Sequence, residues 1–501
     1  MAVSLIQAFL AAARREPERV AIHEMDVDRS RTRGEILGAA VRVARWLDRM
    51  VPEGATVLLH GPGGAGYWAG LIAVLGTGRR LLPVGTEATD ADRHSLVASH
   101  RITAIIETDS KSIWSSPPAG VVSSTVEFPS PGPDPEPDPE PDPGSDPLDR
   151  GARASLLLRS SGSTGRPGVV LRGADSIDRV AATLVRVLDL SEADRVLATI
   201  PMQHAYGIEH GVFAPMWAGA SVTFKTGFDL ISGADALLRG TTVFPAVPVT
   251  LEAAVRVGRK GTDLRLAYTA GTRLPGSVRE AFEHAWEVPV GDLYGMTEIG
   301  TIAWGLDGDG TPVPGVSVGV IDPEDASSSP AIRLHGQGEI VVSSDAMFEG
   351  YLDHGDAPLD PGRRVDGHLR TGDLGQIDPA GRVRITGRAK LQFDVGGLKV
   401  NPEDVEKAIA NTPGVREVAV VPVHLTETVS RVLAVIVAAE GADRAGLESA
   451  VREEAGRSLP AHQRPRMVRF VSELPRSPTG KLLRGRLVDD AAITEPVERS
   501  R

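Results

Sequence analysis

From Pro131 to Pro143 every second residue is proline, and five of the residues between them are acids. Proline has no backbone N–H to donate, its repetition holds the chain near polyproline II geometry, and the like charges repel one another. No packed element can form there, so residues 129–149 read as a flexible tether that interrupts the first lobe. The alternative is a docking strip for a proline-recognition module. The tether also concentrates charge. Asp134, Glu136, Asp138, Glu140, Asp142 and Asp146 supply part of a net charge of −12, and the remainder is much closer to neutral. Such a balance argues against nucleic acid or an anionic membrane as the main partner.

On both sides of the tether, helix-like and strand-like segments alternate, the pattern of a wound α/β layer. Residues 55–60 read as a strand and 67–75 as a helix. After residue 151, Val196–Pro201 and Thr241–Val249 read as strands and Ile177–Leu190 as a helix. A glycine-dense β region runs from Gly315 to Gly387. Beyond Arg388 comes a smaller α+β pattern. There Asn401-Pro402-Glu403-Asp404 starts a helix, with an amide to cap free N–H groups, a proline in the first turn and acids at the positive end of the dipole. At 501 residues with 41% hydrophobic and 24% charged content, the chain is of ordinary globular type and long enough for more than one domain. The absence of cysteine excludes disulfides, thiolate metal sites and cysteine nucleophiles. No apolar run is long enough to span a bilayer. Met1–Ala13 lacks a basic leading region and reads as an amphipathic helix, with a cytoplasmic location expected.

Two glycine-rich runs follow apolar strands. In Ser160-Ser161-Gly162-Ser163-Thr164-Gly165-Arg166-Pro167-Gly168, glycines let the backbone approach an anion while hydroxyls add donors, which suits a phosphate cradle. It is not the common ATPase loop, which needs Gly-Lys-Ser/Thr; the competing reading is a surface turn. The second run, Gly61-Pro62-Gly63-Gly64-Ala65-Gly66, fits the dinucleotide fingerprint literally and leaves an NAD-dependent oxidoreductase as a remote alternative.

Four further segments accompany the first run: Asp292-Leu293-Tyr294-Gly295-Met296-Thr297-Glu298, Leu369-Arg370-Thr371-Gly372-Asp373, Ile385-Thr386-Gly387-Arg388-Ala389-Lys390 and Pro475-Arg476-Ser477-Pro478-Thr479-Gly480-Lys481. In this order and spacing they resemble the core motifs of the adenylate-forming superfamily of acyl-CoA synthetases, adenylation domains and luciferases. The chain looks most like a stand-alone acyl- or aryl-CoA ligase. The resemblance implies an α/β fold: a large N-terminal domain, 1–388, of two wound α/β subdomains plus a β-barrel-like subdomain, and a small mobile α+β C-terminal domain, 391–501. It also implies the reaction. A carboxylic acid attacks the α-phosphate of ATP, pyrophosphate leaves, and the acyl group then passes to a thiol. Such chemistry is catalysed mainly by positioning and charge neutralisation.

By the same resemblance, Ser160, Ser161, Gly162, Ser163, Thr164 and Gly165 cradle the β- and γ-phosphates. Glu298 is the Mg²⁺ ligand and Thr297 binds the α-phosphate. Tyr294 stacks on adenine, with Gly271 and Thr272 on the other side. Asp373 accepts the ribose hydroxyls and Arg388 contacts ribose or phosphate. Lys481 neutralises charge between the carboxylate and the α-phosphate, presented by rotation about Lys390. One position departs from the family: Gly168 stands where a lysine is usual, and Arg166 or Arg172 could supply the charge.

The segment Pro201-Met202-Gln203-His204-Ala205-Tyr206-Gly207 looks like the family's acid-pocket motif, so His204, Tyr206 and Gly207, with Gly295, are the expected acid contacts. The amino-acid-activating branch carries an Asp here to pair with an ammonium; this chain offers only Glu209. An aryl or fatty acid is therefore favoured. Gly396 and Gly397 resemble the passage for a pantetheine arm, belonging to CoA or to a separate carrier protein, since no carrier domain follows Arg501. A carrier-loading enzyme or one using an amine nucleophile remains the alternative.

Overall fold

The computed structural model of the protein describes residues 4–86, 88, 90–108, 121–122, 147–150, 153–159, 169–226, 232–258, 262–271, 274–306, 308–323, 325, 330–352, 363–388, 391, 393–395, 398–426, 429–477 and 482–487. The chain forms two compact units, one of Met1–Ser317 with Ser343–Arg364 and one of Val318–Val342 with Val365–Arg501.

The first unit contains two wound sheets. In one, nine strands run in the order 311–312, 300–305, 290–296, 266–270, 243–246, 195–198, 221–224, 20–24 and 29–32, the central six parallel. In the other, the order is 350–352, 169–173, 155–159, 80–84, 56–60, 102–107 and 121–122. Strands buried on both faces read as continuous apolar runs, as Thr56–His60 does. The expected strand Thr241–Val249 is shorter. It covers Val243–Ala246, because Pro248 fits the first turn of a helix and starts one, Pro248–Val255. The amphipathic N-terminal helix is Leu5–Arg15, capped by Ser4 and Gln7. At the end of the tether, Leu148 is buried against Gly76, so residues 147–150 are part of the folded body.

The glycine run at 61–66 serves packing. Helix Ala65–Gly76 is buried on every side, and the carboxylate of Glu24, itself paired with Arg29 at 2.9 Å, accepts from the Ala65 N–H at 3.2 Å. A Cβ on Gly64 would lie 2.5 Å from Glu24 Oε1. The position where a dinucleotide's pyrophosphate would meet the helix dipole holds a carboxylate of the protein, which disposes of the oxidoreductase reading.

In the second unit, Gly336–Ser344, His368–Ile377 and Val383–Arg388 form antiparallel ladders of a five-stranded half-barrel sheet. Beyond them, strands Val415–Thr426, Val429–Ala438 and Met467–Val471 pack against helices Pro402–Ala410 and Arg444–Ser458. Asn401 caps the first of these helices as expected, accepting from Glu403 N.

One ion pair joins the layers of the first unit. Arg172, on the strand Val169–Gly173 of one sheet, is fully buried against Glu209, whose helix lies beside the other sheet; Arg172 Nε also donates to Ser176 at 2.9 Å. Burial pushes the Glu209 carboxyl up, opposed by the guanidinium. Both expectations placed on these residues are thereby corrected. Arg172 does not supply charge to the phosphate loop, and Glu209 is not available to a substrate ammonium. Arg172→Met, which leaves a buried acid without its partner, is expected to cost about 3–5 kcal/mol in urea unfolding, and Arg172→Met/Glu209→Leu much less than the sum of the single changes.

Candidate active site

In open α/β sheets, ligands collect at the carboxyl ends of parallel strands. Strands Leu266–Ala270 and Val290–Met296 are parallel neighbours with Ala270 opposite Leu293, so Gly271 and Tyr294, one residue further along each, emerge side by side. Gly271 has φ +82° and open space where a Cβ would sit, and Tyr294 is half-buried. Thr272 lies outside the described residues. The chain then reverses through Thr297 and Glu298 into the antiparallel strand Gly300–Gly305. Gly295 belongs to this reversal: a Cβ there would lie 2.6 Å from the Gly300 carbonyl.

Glu298 is buried at 7% exposure, and its carboxylate accepts from the Tyr351 hydroxyl. Arg363 Nη1 donates to the same hydroxyl at 3.1 Å and stands 3.9 Å from Glu298 Oε1. Burial, with the acid beside it, pushes the Tyr351 phenol well above its usual range. Among the described residues no three His, Cys, Asp or Glu side chains cluster as a metal cage. A single hard carboxylate suits Mg²⁺, which takes one or two protein oxygens and completes its shell with water and phosphate.

Beside this reversal stands the helical stretch Ala205–Ala218, π-wound over Glu209–Phe213. His204 is its N-terminal residue. The Tyr206 hydroxyl donates to the Ala246 carbonyl at 3.0 Å, and the His210 ring meets Tyr206 edge-on at 4.8 Å. His210 Nδ1 lies 2.8 Å from the Tyr268 hydroxyl, and Tyr268 meets Trp304 edge-on at 5.6 Å. Burial pushes His210 down to about 3, so the ring is neutral. Gly207 is buried against the Pro201 carbonyl with no room for a Cβ, which gives it a packing task.

In the second unit, Thr371, Gly372 and Asp373 bulge from the ladder between Glu339 and Val341, with Gly372 at φ +75°. Thr371 Oγ1 donates to the Ile340 carbonyl at 2.7 Å and accepts from Asp373 N at 3.0 Å. Asp373 is 4% exposed and stands opposite Arg388 across the strands, with Nε 2.8 Å from its carboxylate. The two expected nucleotide contacts are thus partners of one another. Lys481 lies outside the described residues, but both flanks of its loop are anchored. Arg476 bridges Leu482, Leu483 N donates to the Pro475 carbonyl at 2.8 Å, and Leu474 and Leu487 are buried in one cluster. Arg484 makes two 2.6 Å hydrogen bonds to Glu406, which also accepts from Val420 N at 2.6 Å. Ser160–Gly165, Lys390, Gly396 and Gly397 likewise lie outside the described residues.

Residues 9–352 match the AMP-binding enzyme family, and 404–481 match the AMP-binding enzyme C-terminal domain. The chain belongs to the AMP-binding enzyme family. It is 31% identical over 350 residues to sulfoacetate–CoA ligase of Cupriavidus necator, covering 67% of each chain. To a long-chain-fatty-acid–CoA ligase of Mycobacterium tuberculosis it is 28% identical over 356 residues, covering 68% of each. ATP-bound MatB from Rhodopseudomonas palustris shares the fold with a TM-score of 0.82 at 24% identity, covering 97% of this chain and 99% of that one. This AMP-binding enzyme is an AMP-forming acid–thiol ligase of the adenylate-forming superfamily, activating a carboxylic acid with ATP for ligation to CoA. No helix among its described residues is long and apolar enough to cross a membrane.

Sequence reasoning missed Tyr351, Arg363, His210, Tyr268 and Trp304. The spacing of Tyr206 and His210, four apart on a helix, and the position of Tyr268 just before Gly271 were available signals. Arg363 had none, because only strand pairing brings it to Glu298. Glu406→Gln is expected to loosen the Lys481 loop, seen as faster amide hydrogen exchange in 482–487 with exchange in the first unit unchanged.

Proposed function

We propose that the enzyme activates a compact carboxylic acid, of short chain or single ring, in preference to a long-chain fatty acid, and passes it to CoA through an acyl-adenylate. The observation that supports the acid class is the packed, hydrogen-bonded set Tyr206, His210, Tyr268 and Trp304, which begins two residues after His204. In this reading the rings fill the acid side of the site, and displacing them to admit a long tail would break the Tyr206–Ala246 and His210–Tyr268 contacts. A neutral His210 offers no charge to a second carboxylate or an ammonium.

In this reading the crevice between Gly271 and Tyr294 takes the adenine. Thr297 orients the α-phosphate, and Glu298 holds Mg²⁺, which supplies charge neutralisation at the phosphates when bound. The bulge at Thr371–Asp373 presents a carboxylate to the ribose in exchange for its bond to Arg388. Lys481 neutralises the charge that builds up as the acid attacks, and Gly396 and Gly397 pass the pantetheine arm. The small domain turns about Lys390 between the half-reactions. A separate carrier protein is the second acceptor compatible with such a passage.

Acid-dependent pyrophosphate exchange should be supported by propionate- to hexanoate-sized acids or benzoates and be at least about tenfold weaker in kcat/KM with palmitate, the size of effect expected when a tail meets a filled pocket. Equal efficiency with palmitate would overturn the compact-acid reading. Lys481→Ala should abolish exchange while leaving ATP binding by calorimetry in place; exchange at the wild-type rate would refute its role.

A further inference from the structure

Between the helix Ala174–Val187 and the strand Gly300–Gly305 lies a cavity of about 210 Å³. None of the rings on the acid side, Tyr206, His210, Tyr268 and Trp304, is part of its lining. Its walls are apolar: Val180 from the helix, Val313 and Val316 from the chain beyond the strand, and Ala346. An apolar cavity of about 150 Å³ takes benzene, so this one has room for a single ring with a polar tip.

Two polar features give the cavity its chemistry. The first is Thr301, which lines it at 5% exposure and whose hydroxyl has no hydrogen-bond partner among the described residues. Buried hydroxyls are ordinarily paired. The nearby hydroxyl of Ser344 is in use, accepting from Ala346 N at 3.0 Å. The second is an ion pair at the mouth. Arg179 and Asp345 stand 3.6 Å apart, longer than a hydrogen bond, with side chains 54% and 68% exposed. Asp345 is held in place, since its N–H donates to the Gly315 carbonyl at 3.1 Å and a Cβ on Gly315, at φ +83°, would lie 3.3 Å from its carboxylate. One charge of each sign over an apolar interior complements a zwitterion. A carboxylate meets the guanidinium and an ammonium meets the acid, so the resident pair is exchanged for two pairs and neither charge is stranded. A ligand with a carboxylate alone would meet Asp345 as a like charge.

We propose that this cavity binds a zwitterionic α-amino acid whose side chain carries a hydroxyl: the head group at Arg179 and Asp345, the apolar body against Val180 and Val313, and the hydroxyl on Thr301. The site is separate from the one that activates the acid, but it touches the frame of the Glu298 turn. Thr301 is on the strand that leaves that turn, and Ala346 lies two residues before Phe348, whose N–H donates to the Glu298 carbonyl at 2.8 Å.

The test is calorimetric titration of the full chain with L-tyrosine and three relatives that each lack one group: phenylalanine, tyramine and hydroxyphenylpropionate. Tyrosine is expected to bind with a Kd of about 1 mM or tighter. Phenylalanine should bind about twofold to tenfold more weakly, and tyramine and hydroxyphenylpropionate about tenfold or more. Each variant should erase one difference and leave the others: Thr301→Val that between tyrosine and phenylalanine, Arg179→Gln that between tyrosine and tyramine, and Asp345→Asn that between tyrosine and hydroxyphenylpropionate. Bound tyrosine should slow amide hydrogen exchange in 299–302, 313–316 and 344–346. Absence of saturable tyrosine binding would overturn the proposal, as would binding that leaves exchange in those three segments unchanged. Equal affinity for tyrosine and phenylalanine in the wild type, or an equal loss for tyrosine and tyramine in Arg179→Gln, would overturn it as well. Should Thr301→Val unfold, Thr301→Ala provides the same comparison.

Discussion

The buried pair of Arg172 and Glu209 is the constraint on which the first unit depends. A guanidinium taken fully out of water is tolerable only where its charge and its donors are met, and here the carboxylate, the Ser176 hydroxyl and the Ser176 carbonyl meet them. Ser176 in turn donates to the Ala346 carbonyl at 2.6 Å. One side chain thus fixes the strand leaving the phosphate-loop segment, the helix after it, the π-wound stretch beside the acid residues and the approach to the Tyr351 strand. Substituting either charge leaves the other stranded in the core, so the geometry of the candidate site and the stability of the unit cannot be separated at this point.

The π-winding of Glu209–Phe213 begins at the same pair. A wider turn re-aims the side chains it carries, and here it directs Glu209 towards Arg172 while His210 faces Tyr206 and Tyr268. The ring packing around His210 is therefore tied to the same stretch that meets the core ion pair. Gly300 completes the arrangement: at φ +88°, a Cβ there would lie 2.7 Å from Val180 and 3.3 Å from Glu209. The turn bearing Glu298 is thus packed directly on the side chains of Val180 and Glu209.

What the sequence made legible is local. The amphipathic N-terminal helix, the cap at Asn401 and the buried strand Thr56–His60 each arise from neighbouring residues, and each is found close to where periodicity and capping chemistry place it. Boundaries slipped where a single residue decides, as Pro248 does in converting the end of an expected strand into a helix. The misread charges share one cause. Arg172 next to a glycine-rich run looks like a phosphate ligand, and Glu209 next to an acid-pocket motif looks like a substrate ligand. Only the pairing of a strand from one sheet with a helix beside the other reveals that the two satisfy each other. The glycine run at 61–66 misleads in the same way, since its helix N-terminus is met by Glu24 from a strand roughly forty residues earlier.

Pairing also bears on how the site works. Glu298 is engaged by Tyr351 and Asp373 by Arg388, as the anchoring Glu406 is by Arg484, so the two candidate carboxylates already have partners. For a carboxylate at 4–7% exposure, compensation is what makes burial tolerable at all. In the proposed reading, ligand binding exchanges partners: ribose hydroxyls or a metal ion would take over acceptors that a guanidinium or a phenol now holds. Under that reading each exchange would replace one set of contacts by another, leaving interactions made only with transition-state charge to accelerate the reaction. If Asp373 turns to the ribose as proposed, the guanidinium of Arg388 is released from its carboxylate and gains a phosphate as its natural new partner.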